Sequence, residues 1–225
     1  FSDMLPLSFD LGMEIGKFRY VMEDKLRHDV PKQDVVKFIQ DYLYVNENCA
    51  LALYQYFLEQ WQYCKHIPSD RKIVVEHYIN DKDHKIIFHS LFGRRVNDVL
   101  SRAVAFAVAR TEHRDVEMGM NDNGFYIAFE RKVNALKMFT MLKADKLDLV
   151  MKHAIDKTEV LKRRFRHCAT RAFMILRNYK GREKRVGRQQ VGSMILMSAV
   201  KRISDNFSIL SEARREVLED LMDIE

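Results

Sequence analysis

The sequence predicts an α+β fold, mostly helical, with a small antiparallel sheet built from two β-hairpins around a central helix. Three observations carry this reading. Eight Gly and three Pro in 225 residues leave long stretches free of helix breakers. Between residues 72 and 131 the apolar pattern leaves helical spacing for two pairs of strand-like runs. Each pair is joined by a polar turn, Asp81-Lys82-Asp83 in the first and Asn121-Asp122-Asn123-Gly124 in the second.

The elements follow in order. Asp10 to Arg27 reads as a helix, with Leu11, Ile15, Phe18 and Met22 at helical spacing. Pro31 opens a second helix through Leu43, because proline suits a first helical turn. Asn46 caps a third, running to about Lys65. Its Leu51, Leu53, Tyr54, Phe57, Leu58 and Trp61 cover more than one side, so this helix is expected to be buried. Lys72 to Asn80 and His84 to Leu91, rich in β-branched and aromatic residues, form the first hairpin. Gly93 to about Arg114 is the central helix, with Val96, Val99, Leu100, Val104 and Ala107 inward. Asp115 to Met120 and Phe125 to Arg131 form the second hairpin, whose Asn and Gly tolerate positive φ. Helical patterning resumes at Asp145: a helix over Lys146 to Asn178 with a break near Asp156, a basic loop from Gly181 to Gly187, then helices over Arg188 to Ile203 and Ser208 to Met222. With no Ser/Gly linker, internal repeat or low-complexity tract, the chain is expected to be one domain. Its parts are a helical one (1–66), a hairpin-helix-hairpin one (67–131) and a basic helical one (145–225).

Charge is concentrated in that last part. From Lys162 to Arg188 stand eleven of the 38 Lys and Arg residues and one acid, Glu183, a net +10 in a chain whose total is +6. A pI near 9.1 therefore reports one local basic segment on an otherwise slightly acidic protein. Placed at about 100° per residue, Leu161, Phe165, Cys168, Ala172, Ile175 and Leu176 share one arc, and Lys162, Arg163, Arg164, Arg166, Arg171 and Arg177 fall outside it. Phe173 and Met174 are apolar misfits near the cationic side, expected to pack on another element. A solvated surface helix normally intersperses acids. Here they are missing, and like charges repel unless anions neutralise them. Lys180, Arg182, Lys184, Arg185 and Arg188 extend the patch, and Arg outnumbers Lys eight to three. The guanidinium fork suits phosphate oxygens and stacking on bases. The segment thus points to a polyanion, nucleic acid above all, with intramolecular pairing as the bland reading.

Weaker signals sit beside it. Arg94 and Arg95 lie where a strand enters a helix, against the macrodipole, a conflict that a bound phosphate or a carboxylate elsewhere in the chain would relieve. Gly124-Phe125-Tyr126-Ile127-Ala128-Phe129 has a faint likeness to a base-stacking RNA-recognition strand, but its leading cation is absent and alternating aromatics are usually core. Trp61 is expected in the core. Glu76 and His89 can meet as a structural pair across the first hairpin. The eight His stand singly and the three Cys (Cys49, Cys64, Cys168) form no CxxC pair, which disfavours a metal site and a disulfide framework. Gly181 to Arg188 has the wrong spacing for a P-loop, and no nucleophile-base-acid set announces itself. No apolar run approaches the ~20 residues of a membrane span.

With these segments in place the chain resembles the C-terminal DEAD/H-associated region of the large helicase-related (Lhr) family of superfamily 2 helicases, archaeal type. Phe88-His89-Ser90-Leu91-Phe92-Gly93-Arg94-Arg95-Val96-Asn97 is the most specific match. Leu5-Pro6-Leu7-Ser8, Glu14-Ile15-Gly16, Tyr54 to Gln60, Ile67-Pro68-Ser69-Asp70, Val75-Glu76, the NDNG turn, Arg163-Arg164-Phe165-Arg166-His167, Gly187-Arg188-Gln189-Gln190 and Glu212-Ala213-Arg214-Arg215-Glu216 complete it. The resemblance implies a parent enzyme that hydrolyses ATP, moves 3′ to 5′ along single-stranded nucleic acid, unwinds DNA or RNA–DNA duplexes and serves DNA repair; the odd, sparse cysteine count points to reduced thiols and a cytoplasmic setting. ATP and Mg would belong to motor domains which, with a winged-helix domain, precede this segment in the same chain. No cofactor is expected here, and no catalysis by this part alone. The chain, starting at Phe1 in mid-pattern, reads as a piece of a longer protein.

The expectation is therefore an accessory domain that contacts the phosphates of single-stranded DNA or RNA. The contacts assigned are Arg163, Arg164, Arg166, Arg171, Arg177, Arg182, Arg185 and Arg188, with Arg94 and Arg95 in second place. The alternative is a structural module docking its basic face on the motor domains or a partner protein.

Overall fold

Helices α1 (Phe9–Arg27), α2 (Lys32–Leu43) and α3 (Glu47–Cys64) open the chain. They are followed by strands β1 (Val74–Ile79) and β2 (His84–His89), helix α4 (Gly93–Glu112), and strands β3 (Glu117–Asn121) and β4 (Gly124–Phe129). The computed structural model describes residues 5, 7–80, 84–112, 116–129, 134–222 and 224. The turn Asp81-Lys82-Asp83, the expected end of α4 at Arg114, the start of β3 at Asp115 and the end of β4 at Arg131 lie outside the described residues. Contacts gather the chain into two units, Phe1–Ser101 with Asp115–Leu136 and Arg102–Arg114 with Lys137–Glu225, and the division falls inside α4.

In the first unit Ser8 and Asn46 cap α1 and α3 through their side-chain oxygens, accepting from Leu11 N–H and Cys49 N–H. Phe18, Met22 and Leu26 of α1, Val35, Val36 and Ile39 of α2, Ala50 and Phe57 of α3, and Ile67 form the core. Leu11 and Ile15, on the same expected stripe, are exposed. The third helix is less buried than its apolar composition predicts. Only Ala50 and Phe57 are buried, Leu51, Leu53, Tyr54, Leu58 and Trp61 pack at the edge of the core, and Tyr56 and Tyr63 face solvent. One buried charge sits in this core. Glu23, 1% exposed, accepts from Arg27 Nη2 (2.6 Å), Lys72 Nζ (2.5 Å) and the Ile67 N–H (3.3 Å). Burial works to raise its carboxyl, but Lys72 first, then the Ile67 amide and Arg27, hold it below the ordinary value.

The sheet has the order β1-β2-β4-β3, all neighbours antiparallel, so the two expected hairpins join through β2 and β4. Phe88 and Phe125 face each other across that seam with stacked rings, centroids 4.5 Å apart. The expected Glu76–His89 pair forms at 3.0 Å.

The second hairpin turns without any positive φ, contrary to the reason the sequence suggested for its Asn and Gly. Asn121 Oδ1 accepts from the Asn123 N–H at 2.9 Å and supplies the turn instead. Gly124 is needed for closeness, since a Cβ there would stand 2.2 Å from the Phe88 carbonyl oxygen. The Asp122 carboxylate accepts from the amides of Leu7 (3.2 Å) and Arg94 (3.1 Å), and its carbonyl accepts from Gly93, which takes φ +81°. Asn97, fully buried, donates to the carbonyls of Ser90, Asn121 and Asp122 and accepts from the Ser90 hydroxyl. In α4, Val99 and Val104 are buried as expected, Val96, Leu100 and Ala107 only partly, and Asn97 and Ser101 take inward places.

The second unit holds α5 (Ala135–Met141), which the periodicity does not predict, α6 (Ala144–Ile155), α7 (Glu159–Arg171), a short hairpin of β5 (Asn178–Tyr179) and β6 (Arg182–Glu183), α8 (Val186–Ile203) and α9 (Ser208–Arg215). A π-helical turn, Glu216–Leu221, extends α9 where one continuous α-helix was expected. Met151, Ile155, Leu161, Phe165, Cys168, Ala169, Met197, Val200, Leu210, Ala213 and Val217 are buried here. Arg214, 11% exposed at its side chain, donates to Asp156 Oδ1 and Asp205 Oδ1, both at 2.8 Å. Among the described residues no helix is long and apolar enough to cross a membrane.

Candidate nucleic-acid interface

Helix α7 starts on Thr158, whose hydroxyl accepts from the Leu161 N–H, after the expected break at Asp156. It stops at Arg171, seven residues before the expected Asn178. Phe173 adopts φ 57°, and the Met174 and Ile175 amides donate to the Ala169 carbonyl at 2.9 and 3.1 Å. This is a left-handed helix end without the glycine that usually marks one, so the periodic reading runs past it. Ala172, Leu176 and Arg177 consequently leave the helix, and the buried face is Leu161, Phe165, Cys168 and Ala169. Phe173 and Met174 pack on nothing that covers them and remain 82% and 45% exposed.

The expected basic loop is a hairpin. Lys180 (φ 51°) and Gly181 (φ 71°) form a two-residue turn with both centres left-handed, the arrangement that matches strand twist. Arg182 and Glu183 pair with Tyr179 and Asn178, and the Lys184 N–H donates to the Arg177 carbonyl at 2.8 Å. The hairpin thereby fixes the backbone spacing of Arg177 and Arg182, with Arg185 as the cap of α8 and Arg188 in its first turn.

The basic residues of α7 divide into two groups. Arg171 Nη2 donates to Glu216 Oε1 and Arg164 Nη1 lies 3.5 Å from Glu216 Oε2, so these two bind the start of the π-turn. Glu216 is 4% exposed. Its hydrogen bond raises the Arg171 guanidinium above the usual value, and burial followed by Glu216 raises the Cys168 thiol. Arg163, Arg166, Arg177, Arg182, Arg185 and Arg188 have no carboxylate within ion-pair distance among the described residues. Arg163, Arg177, Arg182, Arg185 and Arg188 are exposed and Arg166 is half-buried. Lys162 pairs with Glu159 at 2.6 Å. His167 registers the resulting field: burial holds its imidazole below the ordinary value, and Arg166, Arg164, Arg177 and Arg171 push the same way.

Two concavities accompany these cations. A cleft of about 160 Å³ runs between Glu159, Lys162, Arg163 and Arg166 of α7 and Gln190, Ser193 and Met194 of α8. A wider concavity of about 880 Å³ is lined by Arg182, Glu183, Lys184, Arg185, Gly187 and Arg188. The α8 residues of the cleft carry no charge; Gln190 belongs to the Gly187-Arg188-Gln189-Gln190 segment of the family resemblance, while no sequence pattern singles out Ser193 and Met194.

Arg94 and Arg95 lie in the first unit with exposed side chains. The macrodipole conflict there is met from within the chain, because a carboxylate, that of Asp122, accepts from the Arg94 amide, one of the two ways the sequence left open. Tyr126 of the strand with a faint RNA-recognition likeness is partly exposed, its hydroxyl donating to Glu117 Oε1 at 3.2 Å, while Phe125, Ile127 and Phe129 are buried. Among the described residues no group of three or more His, Cys, Asp or Glu is placed to hold a metal ion.

A fold of two hairpins joined into one sheet, with a clustered set of unneutralised arginines, describes a basic α+β module. The chain belongs to the DEAD/H associated family, whose sequence model matches residues 67–225. It is 51% identical over 226 residues to the ATP-dependent helicase Lhr-Core of Methanothermobacter thermautotrophicus and 40% identical over 228 residues to that of Sulfolobus acidocaldarius. Both matches cover 100% of this chain and 26% of the relative, so the chain spans about a quarter of their length. The solved structure of the Mycobacterium smegmatis helicase Lhr bound to ssDNA and AMP-PNP shares the fold, with a TM-score of 0.81 at 24% identity, over 100% of this chain and 28% of that one.

Proposed function

We propose that this chain is an accessory nucleic-acid-binding region of an ATP-dependent 3′–5′ helicase, gripping the phosphates of the tracked single strand. The observation that carries this reading is the set of six guanidiniums on α7, the β5–β6 hairpin and the start of α8 that have no acidic partner among the described residues. Arg163, Arg166, Arg177, Arg182, Arg185 and Arg188 are the phosphate contacts in this reading, with Arg94 and Arg95 as further ones. Arg164 and Arg171 are given to Glu216 and hold the C-terminal turn instead. The Lhr-Core relatives are named ATP-dependent helicases, and the M. smegmatis protein of the same fold was solved with ssDNA, which supports a single strand as ligand. ATP and Mg would be bound by motor domains elsewhere in a longer polypeptide. DNA repair is the role the family resemblance suggests, and the sparse, unpaired cysteines suggest the cytoplasm.

The test is a titration of a labelled single-stranded oligonucleotide with this chain at increasing salt. Engagement of about five phosphates gives a slope of log affinity on log salt near −3.5. A second reading, docking on other domains of the same polypeptide, is favoured by Val191 and Ile195, one turn apart on α8 and 58% and 66% exposed. Absence of salt-sensitive binding, together with tight association with the remainder of the helicase, would replace the first reading by the second.

A further inference from the structure

The cleft between α7 and α8 contains more than a phosphate needs. Glu159 neutralises Lys162 at 2.6 Å, which leaves Arg163 and Arg166 as the available cations on the α7 wall. The α8 wall is uncharged and chemically mixed. Met194 is 49% exposed, and its thioether chain offers an apolar, polarizable surface of the kind that packs against aromatic rings. Ser193 is only 3% exposed, lines the cleft, and its hydroxyl makes no hydrogen bond to any described residue. Its oxygen, unpartnered among the described residues yet not fully enclosed, stays open to a group that enters the cleft. The Gln190 side-chain amide, also in the cleft wall, is likewise without a partner among the described residues.

The dimensions limit what can enter. At about 160 Å³ the cleft is smaller than the ~300–1,000 Å³ of sites that hold drug-sized molecules. It is several times the ~30 Å³ that a water occupies in the liquid. A single planar ring with polar edges suits that space, an apolar face for Met194 and hydrogen-bonding edges for Gln190 and Ser193. A side-chain amide offers a donor and an acceptor together, the pattern by which it meets a base edge.

Resting on the phosphate-gripping role above, we propose that this cleft receives one unstacked nucleobase of the bound strand. Met194 packs on the base face, Gln190 and Ser193 meet its edge, and Arg163 and Arg166 hold the phosphates on either side. A paired duplex cannot deliver a base there, because its bases stay stacked and its surface presents only the backbone and groove edges. A single strand rotates a base outward at low cost. The cleft therefore adds a preference for single strands that phosphate contacts alone do not give.

The experiment compares a single-stranded 20-mer carrying bases with an abasic 20-mer of the same charge, by fluorescence anisotropy. The protein is this chain and its Gln190→Ala/Met194→Ala variant. Both replaced side chains are exposed, so circular dichroism melts should coincide, and Met194→Ala alone is a second variant with a smaller expected loss. The native protein should bind the base-bearing strand about ten-fold more tightly, the order expected of one base stacked on a side chain. The double variant should lose that preference while its affinity for the abasic strand stays the same. A preference that survives both substitutions, or equal native affinity for the two strands, overturns the base-binding role and leaves the phosphate contacts standing. Failure of the native chain to bind either strand overturns both.

Discussion

Arg171, at the last turn of the most basic helix in the chain, donates its guanidinium to Glu216, a carboxylate buried at the first residue of the π-turn. The basic helix is therefore not uniformly offered to a ligand. Part of its charge is consumed in closing the C-terminal segment onto α7, and only the remainder faces outward. Removing one partner of such a contact strands a buried charge, whereas removing an exposed, unpaired arginine strands nothing.

Arg171→Ala should accordingly lower the melting temperature by several degrees, and Arg163→Ala should leave it unchanged. Thermal unfolding followed by circular dichroism measures both. Equal melting temperatures for the two variants would mean that the Glu216 contact contributes no stability.

Arg163→Glu/Arg166→Glu/Arg182→Glu should retain native melting and lose binding to a single-stranded oligonucleotide. Each reversal removes an attraction and adds a repulsion, at positions where no acidic partner is lost. Anisotropy at low salt is the measurement, and undiminished affinity would remove these residues from the interface.

His167 reports on the same field. Its imidazole is held below the ordinary value by burial and then by Arg166, Arg164, Arg177 and Arg171, so it is neutral at pH 7. A polyanion bound to Arg166 and Arg177 cancels part of that repulsion and should raise the pKa. Binding then takes up protons, and affinity should increase as the pH falls below 6.5, the ordinary value from which the free imidazole is lowered. NMR titration of the imidazole with and without a saturating oligonucleotide tests this. An unchanged pKa would place the strand elsewhere.

Glu23 gives a pH signature of folding. Its carboxyl is depressed below the ordinary 4.5, chiefly by Lys72 acting against burial. A depressed acid contributes stability that is present above its unfolded value and lost as pH falls through its folded value. Glu23→Gln should cost about 2 kcal/mol at pH 7, the scale of a charge-assisted hydrogen bond. The gap between variant and native protein should close as the pH drops below 4.5. Denaturant melts at pH 7 and pH 3 decide it, and a gap independent of pH would contradict the assignment.

Gly124 and Gly192 should respond to alanine with opposite signs. At Gly124 the new Cβ would meet the Phe88 carbonyl oxygen at 2.2 Å, forcing β2 and β4 apart at a cost of roughly 1–3 kcal/mol. Gly192 sits within α8 with nothing inside 4 Å, and alanine there should stabilise by about 1 kcal/mol through helix propensity. Urea unfolding of the two variants reads both effects.

Much of this architecture was legible because the period of the apolar residues is a direct imprint of helix and strand geometry. The three N-terminal helices, both hairpins, the break near Asp156 and the basic character of α7 follow from it. What escaped has local causes. The end of α7 is hidden because Phe173, not glycine, takes the left-handed conformation. The β5–β6 hairpin is too short to show alternation. Asp122 looked like a turn residue and is also the cap of α4, a role that depends on a contact between residues 28 apart in sequence. For the candidate interface, composition located the arginines. Which of them are already engaged was unreadable, because Glu216 lies 45 residues from Arg171 along the chain.

Asp122 also couples two places far apart in sequence, Leu7 before α1 and the first turn of α4, where the Leu7 carbonyl already lies against Gly93. A single oxygen, Oδ1, accepts from the amides of both Leu7 and Arg94. Opening one of these bonds leaves the carboxylate free to follow solvent and weakens its hold on the other. Deuterium uptake at the segment before α1 and at the first turn of α4 should therefore proceed in step, as one protected unit built from opposite sides of the sequence.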